Sequence, residues 1–336
     1  RAIIFLAIAL ILLWLSFREI GFRELWATLR EADYLWLLPT AAMTVISFFI
    51  RAHRWNLLIE PLGKKARLIN IYHAVSTGYL ANLIFPRLGE VTKCAALSER
   101  EKIPFDKLVG TMLVERTVDL LTVLALLGLT LIAGSTTTSS FLSDNVFAPI
   151  SERLLAYETS ITLIVLLFLV LGSIIIVLFF ALRKKLSEKP FFSNIYQFFY
   201  GILAGLKSIA KLKKKWEFIL DTFLLWIVYL LMTYFPLQGF DSTSELGLEG
   251  ALFVLVIGSF GMAVPVQGGL GAFHWIVSRG LLVAYGIPLQ EGLAFATFSH
   301  ESQLVFIAIL GAISFFALFG RRGGKILPST IIKRAG

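Results

Sequence analysis

Long apolar blocks alternate with short polar intervals along this chain. Six blocks read as full helical crossings of a bilayer, over 1–17, 34–59, 107–134, 158–182, 216–237 and 291–319. Each is near the ~20 residues that a helix needs to span a hydrocarbon core. Two further stretches, 70–96 and 249–286, are apolar but interrupted by Pro and Gly. Each is expected to form two short helices that meet at a break, entering and leaving on one side. Such breaks are tolerated at membrane depth only where protein or water satisfies the freed backbone groups. The pattern therefore predicts an all-α polytopic membrane protein, a single transmembrane domain over 1–336. It has about six full transmembrane helices plus two broken re-entrant helix hairpins. No small-residue cleavage site follows Leu15, so the first block is read as a retained helix, and the lack of a methionine before Arg1 implies a few preceding native residues.

The polar intervals orient the spans. Lys64, Lys65 and Arg67 follow the second block, and Arg100, Lys102 and Lys107 precede the third. The stretch 183–215 carries Arg183, Lys184, Lys185, Lys189, Lys207, Lys211 and Lys213 to Lys215, and the tail adds Arg321, Arg322, Lys325, Lys333 and Arg334. By contrast 135–157 has only Arg153, and 238–250 has no Lys or Arg. Segment 18–33 is treated as a connecting loop, with three arginines offset by four acids. The positive-inside rule then places both termini in the cytoplasm, provided that 70–96 dips from the cytoplasmic side and 249–286 from outside. Within the basic stretch, the apolar residues of 191–212 recur at helical spacing. They read as an amphipathic interfacial helix or as an ordinary helix packed on the bundle.

Two units echo each other, 34–134 and 216–319. Pro86-Arg87-Leu88-Gly89-Glu90 breaks one hairpin, and Pro265-Val266-Gln267-Gly268-Gly269-Leu270-Gly271 breaks the other. Ile103-Pro104 and Ile287-Pro288 precede the last helix of each unit. With opposite entry sides the units form an inverted repeat, the architecture of secondary transporters whose substrate site lies at the midplane.

The last helix of each unit turns polar at depth. Glu115, Arg116 and Asp119 occupy one, and Ser299, His300, Glu301 and Gln303 the other. Asp119 lies about eleven residues into its helix, or ~16 Å at 1.5 Å per residue. Ionisable groups there cost at least ~2.5 kcal/mol each, so they are expected to face the interior and pair. Glu115 and Asp119 share a helical face as like charges and require cations, for which Arg51, Arg54, Arg87 and Arg116 are available. Such groups form either a polar path for a charged headgroup or an ion-pair network that locks the helices. The Gly268–Gly271 turn opens a helix near Ala272 whose free N–H groups favour an anion, or it serves helix packing. His274 follows the turn as a titratable group or a packed hydrogen-bond donor.

Composition narrows the function. The chain is 57% hydrophobic and 16% charged, too apolar for a soluble domain of its length. Its net charge of +9 fits cytoplasmic loops facing an anionic leaflet, so no nucleic-acid partner is expected. The single cysteine, Cys94, excludes an internal disulfide, and the four histidines show no metal-ligand spacing along the chain. No metal and no cofactor is therefore expected. HExxH, GxSxG and phosphate-loop patterns are missing, so the chain is not expected to be an enzyme or an ATP-driven pump.

Three runs in order carry a resemblance: Asn82 through Glu90, Glu115-Arg116-Thr117-Val118-Asp119, and Pro265 through Gly271. They resemble the transmembrane domain of bacterial lysylphosphatidylglycerol synthases, whose stand-alone members are called flippase-like membrane proteins. The resemblance covers nearly the whole chain. It implies a bacterial inner-membrane protein that moves lipids between leaflets. It also implies that this stretch, without a synthase domain, does not make the aminoacyl lipid. Arg87, Glu90, Glu115, Arg116 and Asp119 match the family pattern. His274 stands where the family usually has an acid, and His300 and Glu301 stand where it often has an arginine.

These readings converge on a flippase for a phospholipid or polyprenyl-phosphate lipid. Arg87, Arg116 and the Gly268, Gly269 and Gly271 turn with Gln267 would bind phosphate. Glu90, Glu115, Asp119, His274, His300 and Glu301 would tune charge or couple to protons. Two alternatives stand beside it: a lipid-linked glycosyl- or aminoacyl-transferase, and a non-catalytic membrane partner of a separate lipid synthase.

Overall fold

In the computed structural model of this protein, the described residues are 11, 13, 14, 16, 17, 22–63, 66–85, 88–132, 212–264 and 266–320. All their secondary structure is helical. The chain divides into two compact units, 1–115 with 212–336, and 116–211. The expected span 158–182, the connector 135–157 and all of the amphipathic segment 191–212 except Leu212 lie outside the described residues. So does most of the first block.

The helices are α1 (Phe22–Glu31), α2 (Leu37–Ile59), α3 (Leu68–Ile84), α4 (Leu88–Glu101) and α5 (Phe105–Ile132), then α6 (Lys215–Leu237), the short α7 (Asp241–Ser244), α8 (Gly247–Ala263), α9 (Ala272–Tyr285) and α10 (Leu289–Phe319). Among the described residues, Tyr34–Leu62, Lys215–Leu237 and Leu289–Phe319 are long and apolar enough to cross a membrane. Their outward faces agree. Ile219, Phe223 and Ile227 on α6, and Val305, Ile309, Ile313 and Phe316 on α10, are exposed at spacings of three and four. A stripe of large apolar side chains on the outside is what a lipid solvent selects.

The inner face of α2 is the reverse. Thr40, Thr44, Ser47, Arg51 and Arg54 are buried along one side. The hydroxyls of Thr40, Thr44 and Ser47 donate to Trp36, Thr40 and Thr44 carbonyls at 2.8–2.9 Å. Back-bonding to the preceding turn satisfies those hydroxyls without a distant partner.

Both broken stretches become helix pairs. In 70–96 the break falls between α3 and α4, which pack on each other. There Gly89 N–H donates to Asn82 Oδ1 at 2.6 Å. A Cβ on Gly89 would collide with the Gly78 carbonyl oxygen, so only glycine permits this approach. At the open end of the pair, the Glu101 carboxylate accepts from the Arg67 N–H at 3.2 Å and from Asn70. A carboxylate at the start of α3 meets orphan N–H groups and the positive helix end. In 249–286, α8 and α9 pack together with Gly258 and Gly261 against Phe273. The first unit is then closed by α2 on α6, α3 on α10 and α9 on α10.

One reading is corrected. Segment 18–33 contains a helix, α1, where a connecting loop was expected. Leu25 is buried, α1 packs on α10, and Gln290 donates to Thr28 Oγ1 at 2.9 Å. Glu24 in its first turn and Arg30 in its last complement the helix dipole. Arg23, Glu24, Arg30 and Glu31 are the charged side chains of that helix.

Candidate functional site

Among the described residues of the first unit, buried charged and titratable side chains gather around Glu115 and around Glu301. The first group is built on Glu115 of α5, which is 1% exposed. Its Oε1 accepts from Arg51 Nη1 at 3.2 Å and Arg54 Nη2 at 3.3 Å, both on α2, and its Oε2 accepts from Lys93 Nζ of α4 at 2.6 Å. Positions 51 and 54 are three apart on one helix, so both guanidinium groups reach the same carboxylate. Aromatic rings wall the cations. Arg51 lies over Tyr79 and Tyr229, Arg54 over Phe218, and Lys93 over Trp55 at 4.6 Å from the ring centroid. Trp55 is itself held by its indole N–H, which donates to Thr111 Oγ1 at 2.9 Å. Three buried cations stacked on π faces meet one buried carboxylate, an arrangement in which charge-assisted hydrogen bonds gain strength.

Arg51 and Arg54 were identified in the sequence as available cations. Lys93 was missed. It is a single lysine between short apolar stretches of α4, and no periodic signal marks its burial.

The second group joins the hairpin turn to α10. His300 Nε2 lies 2.8 Å from the Gly268 carbonyl oxygen. His300 Nδ1 lies 3.2 Å and His274 Nε2 lies 3.4 Å from Glu301 Oε1. Both imidazoles are buried, whereas the Glu301 side chain is 44% exposed. The two rings meet edge to face at 5.0 Å, and Phe273 stacks on His300 at 5.1 Å. The turn supplies this geometry through Gly268, Gly269 and Gly271, all at positive φ. Gly268 at φ +56° turns its carbonyl to His300. Free N–H groups are expected at the start of α9, where Gly271 is the N-cap and no side chain caps the helix. The Gly269 and Leu270 N–H groups donate within the turn itself, to the Val266 and Gln267 carbonyls. The Gly271 carbonyl accepts from Ser16 Oγ at 3.3 Å. Gln267 Oε1 is buried without a hydrogen-bond partner.

Glu90 stands in the first turn of α4. In the second unit, Arg116 pairs with Asp119 one turn on, at 3.7 Å, with Arg116 37% exposed. Arg87 lies outside the described residues.

Comparison with known proteins adds the following. Over 128 residues, 38% of this chain, it is 28% identical to "Glycosyltransferase AglD" of Haloferax volcanii, and the match spans 20% of that protein. No solved structure matches the chain. The family described as "Lysylphosphatidylglycerol synthase TM region" matches residues 2–311. With that match and its apolar spanning helices, the chain is a multi-pass membrane protein and belongs to the lysylphosphatidylglycerol synthase transmembrane-region family.

Proposed function

We propose that the chain moves a lipid with a phosphate-bearing headgroup between leaflets, the tails staying in the bilayer. The lipid is a phospholipid of the anionic or aminoacylated phosphatidylglycerol type, or a polyprenyl phosphate. The observation that carries this reading is the convergence of Arg51, Arg54 and Lys93 on Glu115 at mid-helix. Guanidinium and ammonium groups bind phosphate oxygens in the geometry they use for carboxylate. A headgroup phosphate would compete with Glu115 for these cations, and the exchange of one anion for the other would loosen the contact between α2, α4 and α5. The hairpins α3–α4 and α8–α9 would be the re-entrant elements of an inverted repeat, with the polar path at the midplane between them. Arg116, the half-exposed cation beside Glu115 in sequence, would guide the headgroup. In this reading the chain has no catalytic step of its own and works beside a separately encoded lipid synthase.

The test is leaflet exchange of fluorescent phosphatidylglycerol, with and without a lysyl headgroup, in proteoliposomes. Arg116→Ala is expected to abolish exchange with expression and folding intact. Unchanged exchange in a folded Arg116→Ala protein removes that role. Absence of exchange for both lipids in the wild type redirects the assay to polyprenyl phosphates.

A second reading, a lipid-linked glycosyltransferase, draws on the name of the Haloferax relative, of which the match covers one fifth. Turnover of a sugar-nucleotide donor by the purified chain would favour it over transport.

A further inference from the structure

The geometry points to a divalent transition-metal site, of the kind zinc takes, formed by His274 Nε2, His300 Nδ1 and Glu301 Oε1. The Gly268 carbonyl serves as its outer-sphere support. The site stands on its own geometry and does not depend on the lipid-transport reading.

The hydrogen bonding of His300 comes first. Its Nε2 sits 2.8 Å from a backbone carbonyl, which only accepts, so Nε2 carries the proton. In the neutral ring Nδ1 is then a lone pair, and it faces a carboxylate oxygen at 3.2 Å. Two acceptors at that distance require a positive species between or upon them, either a second proton on the ring or a metal ion. A ligating histidine whose other nitrogen donates to a backbone carbonyl is the usual outer-sphere arrangement at metal centres, because it sets tautomer and ring orientation together. His274 Nε2 approaches the same carboxylate oxygen at 3.4 Å. One donor atom from each of the three residues falls within 4.8 Å of the others.

Two of the three ligand spacings suit zinc, and the two imidazole nitrogens, within 4.8 Å of each other, would draw together on binding. Ligand atoms ~2.0–2.1 Å from a tetrahedral zinc stand roughly 3.4 Å apart, against the observed 3.2 and 3.4 Å. Two imidazoles and one carboxylate form a donor set of borderline softness that favours zinc and its neighbours over magnesium or calcium. Three protein ligands leave the fourth position for water or an anionic oxygen, and the 44% exposed Glu301 side chain marks the side from which it is reached. The support is uneven, since His274 Nδ1 is buried without a hydrogen-bond partner. Metal would tie the Gly268 turn, α9 and α10 at one point.

The experiment titrates the purified full chain in detergent micelles with Co2+, followed by Zn2+. One equivalent of Co2+ is expected to bind with visible ligand-field bands of a four-coordinate site, and Zn2+ should erase them. Glu301→Gln and, separately, His274→Gln should each weaken Co2+ binding at least ~10-fold. Zn2+ should raise the thermal unfolding temperature of the wild type and not of either variant. X-ray absorption of the zinc-loaded wild type should give two imidazole nitrogens and light-atom neighbours, and this needs no variant to fold. No band in the wild type, binding unchanged in a folded variant, or a sulfur neighbour from Cys94 would each overturn the assignment. The groups would then share only a proton.

Discussion

The two charged groups place a carboxylate among basic side chains in opposite ways. Glu115 is enclosed, 1% exposed, and reached by three cations that are themselves buried and stacked on rings. Glu301 is 44% exposed and meets two buried imidazoles on one side only. In the first group the carboxylate is the core and the cations surround it. In the second the basic groups are the core and the carboxylate is the edge. Burial, more than the identity of the pair, decides which carboxylate is open at rest and which is reached only when the helices around it part.

Removing each carboxylate breaks the comparison most directly. Glu115→Ala leaves three cations around an empty position and should cost about 3–5 kcal/mol, the usual penalty for breaking a buried pair. Glu301→Ala should cost less, about 1–3 kcal/mol, because it leaves two buried imidazole nitrogens without their partner. Thermal unfolding in detergent checks both, and equal losses would remove the distinction. A finer probe is Trp55→Phe, which keeps a ring near Lys93 but deletes the hydrogen bond to Thr111 Oγ1. A loss of about 1–2 kcal/mol is expected, because a buried hydroxyl loses its donor. Lys214→Ala, at the half-exposed pair with Glu60 at 3.4 Å, sets the floor. It should change stability by no more than about 1 kcal/mol in the same assay.

Much of the fold was legible because apolar length and Pro/Gly breaks are local signals. The expected blocks 34–59, 216–237 and 291–319 match α2, α6 and α10 within a few residues, and both broken stretches are helix pairs. The third block is α5, over Phe105–Ile132. Helix α1 was hidden because so much of it is charged. Its burial depends on a few contacts such as Leu25 and Thr28 with α10, which no local pattern records. The Glu115 group was half legible. Two arginines three apart in an apolar helix announce a buried partner, whereas Lys93 comes from another helix and joins only through the α3–α4 pairing. The histidine group was the least legible. His274 and His300 show no ligand spacing along the chain, and the Gly268 turn and the packing of α9 on α10 bring them together.

Cys94 gives the Glu115 group a clock. It is the only thiol in the chain, it follows Lys93 directly, and its side chain is wholly buried. An alkylating reagent can reach it only when the interior around α4 opens. In reagent excess the labelling rate counts those openings, and at lower concentration it reports how often the open form is populated. Any lipid that loosens the group should quicken alkylation, and any that seals it should slow it. Conformational exchange in this protein can thus be timed by chemistry at one native sulfur atom, without an added probe.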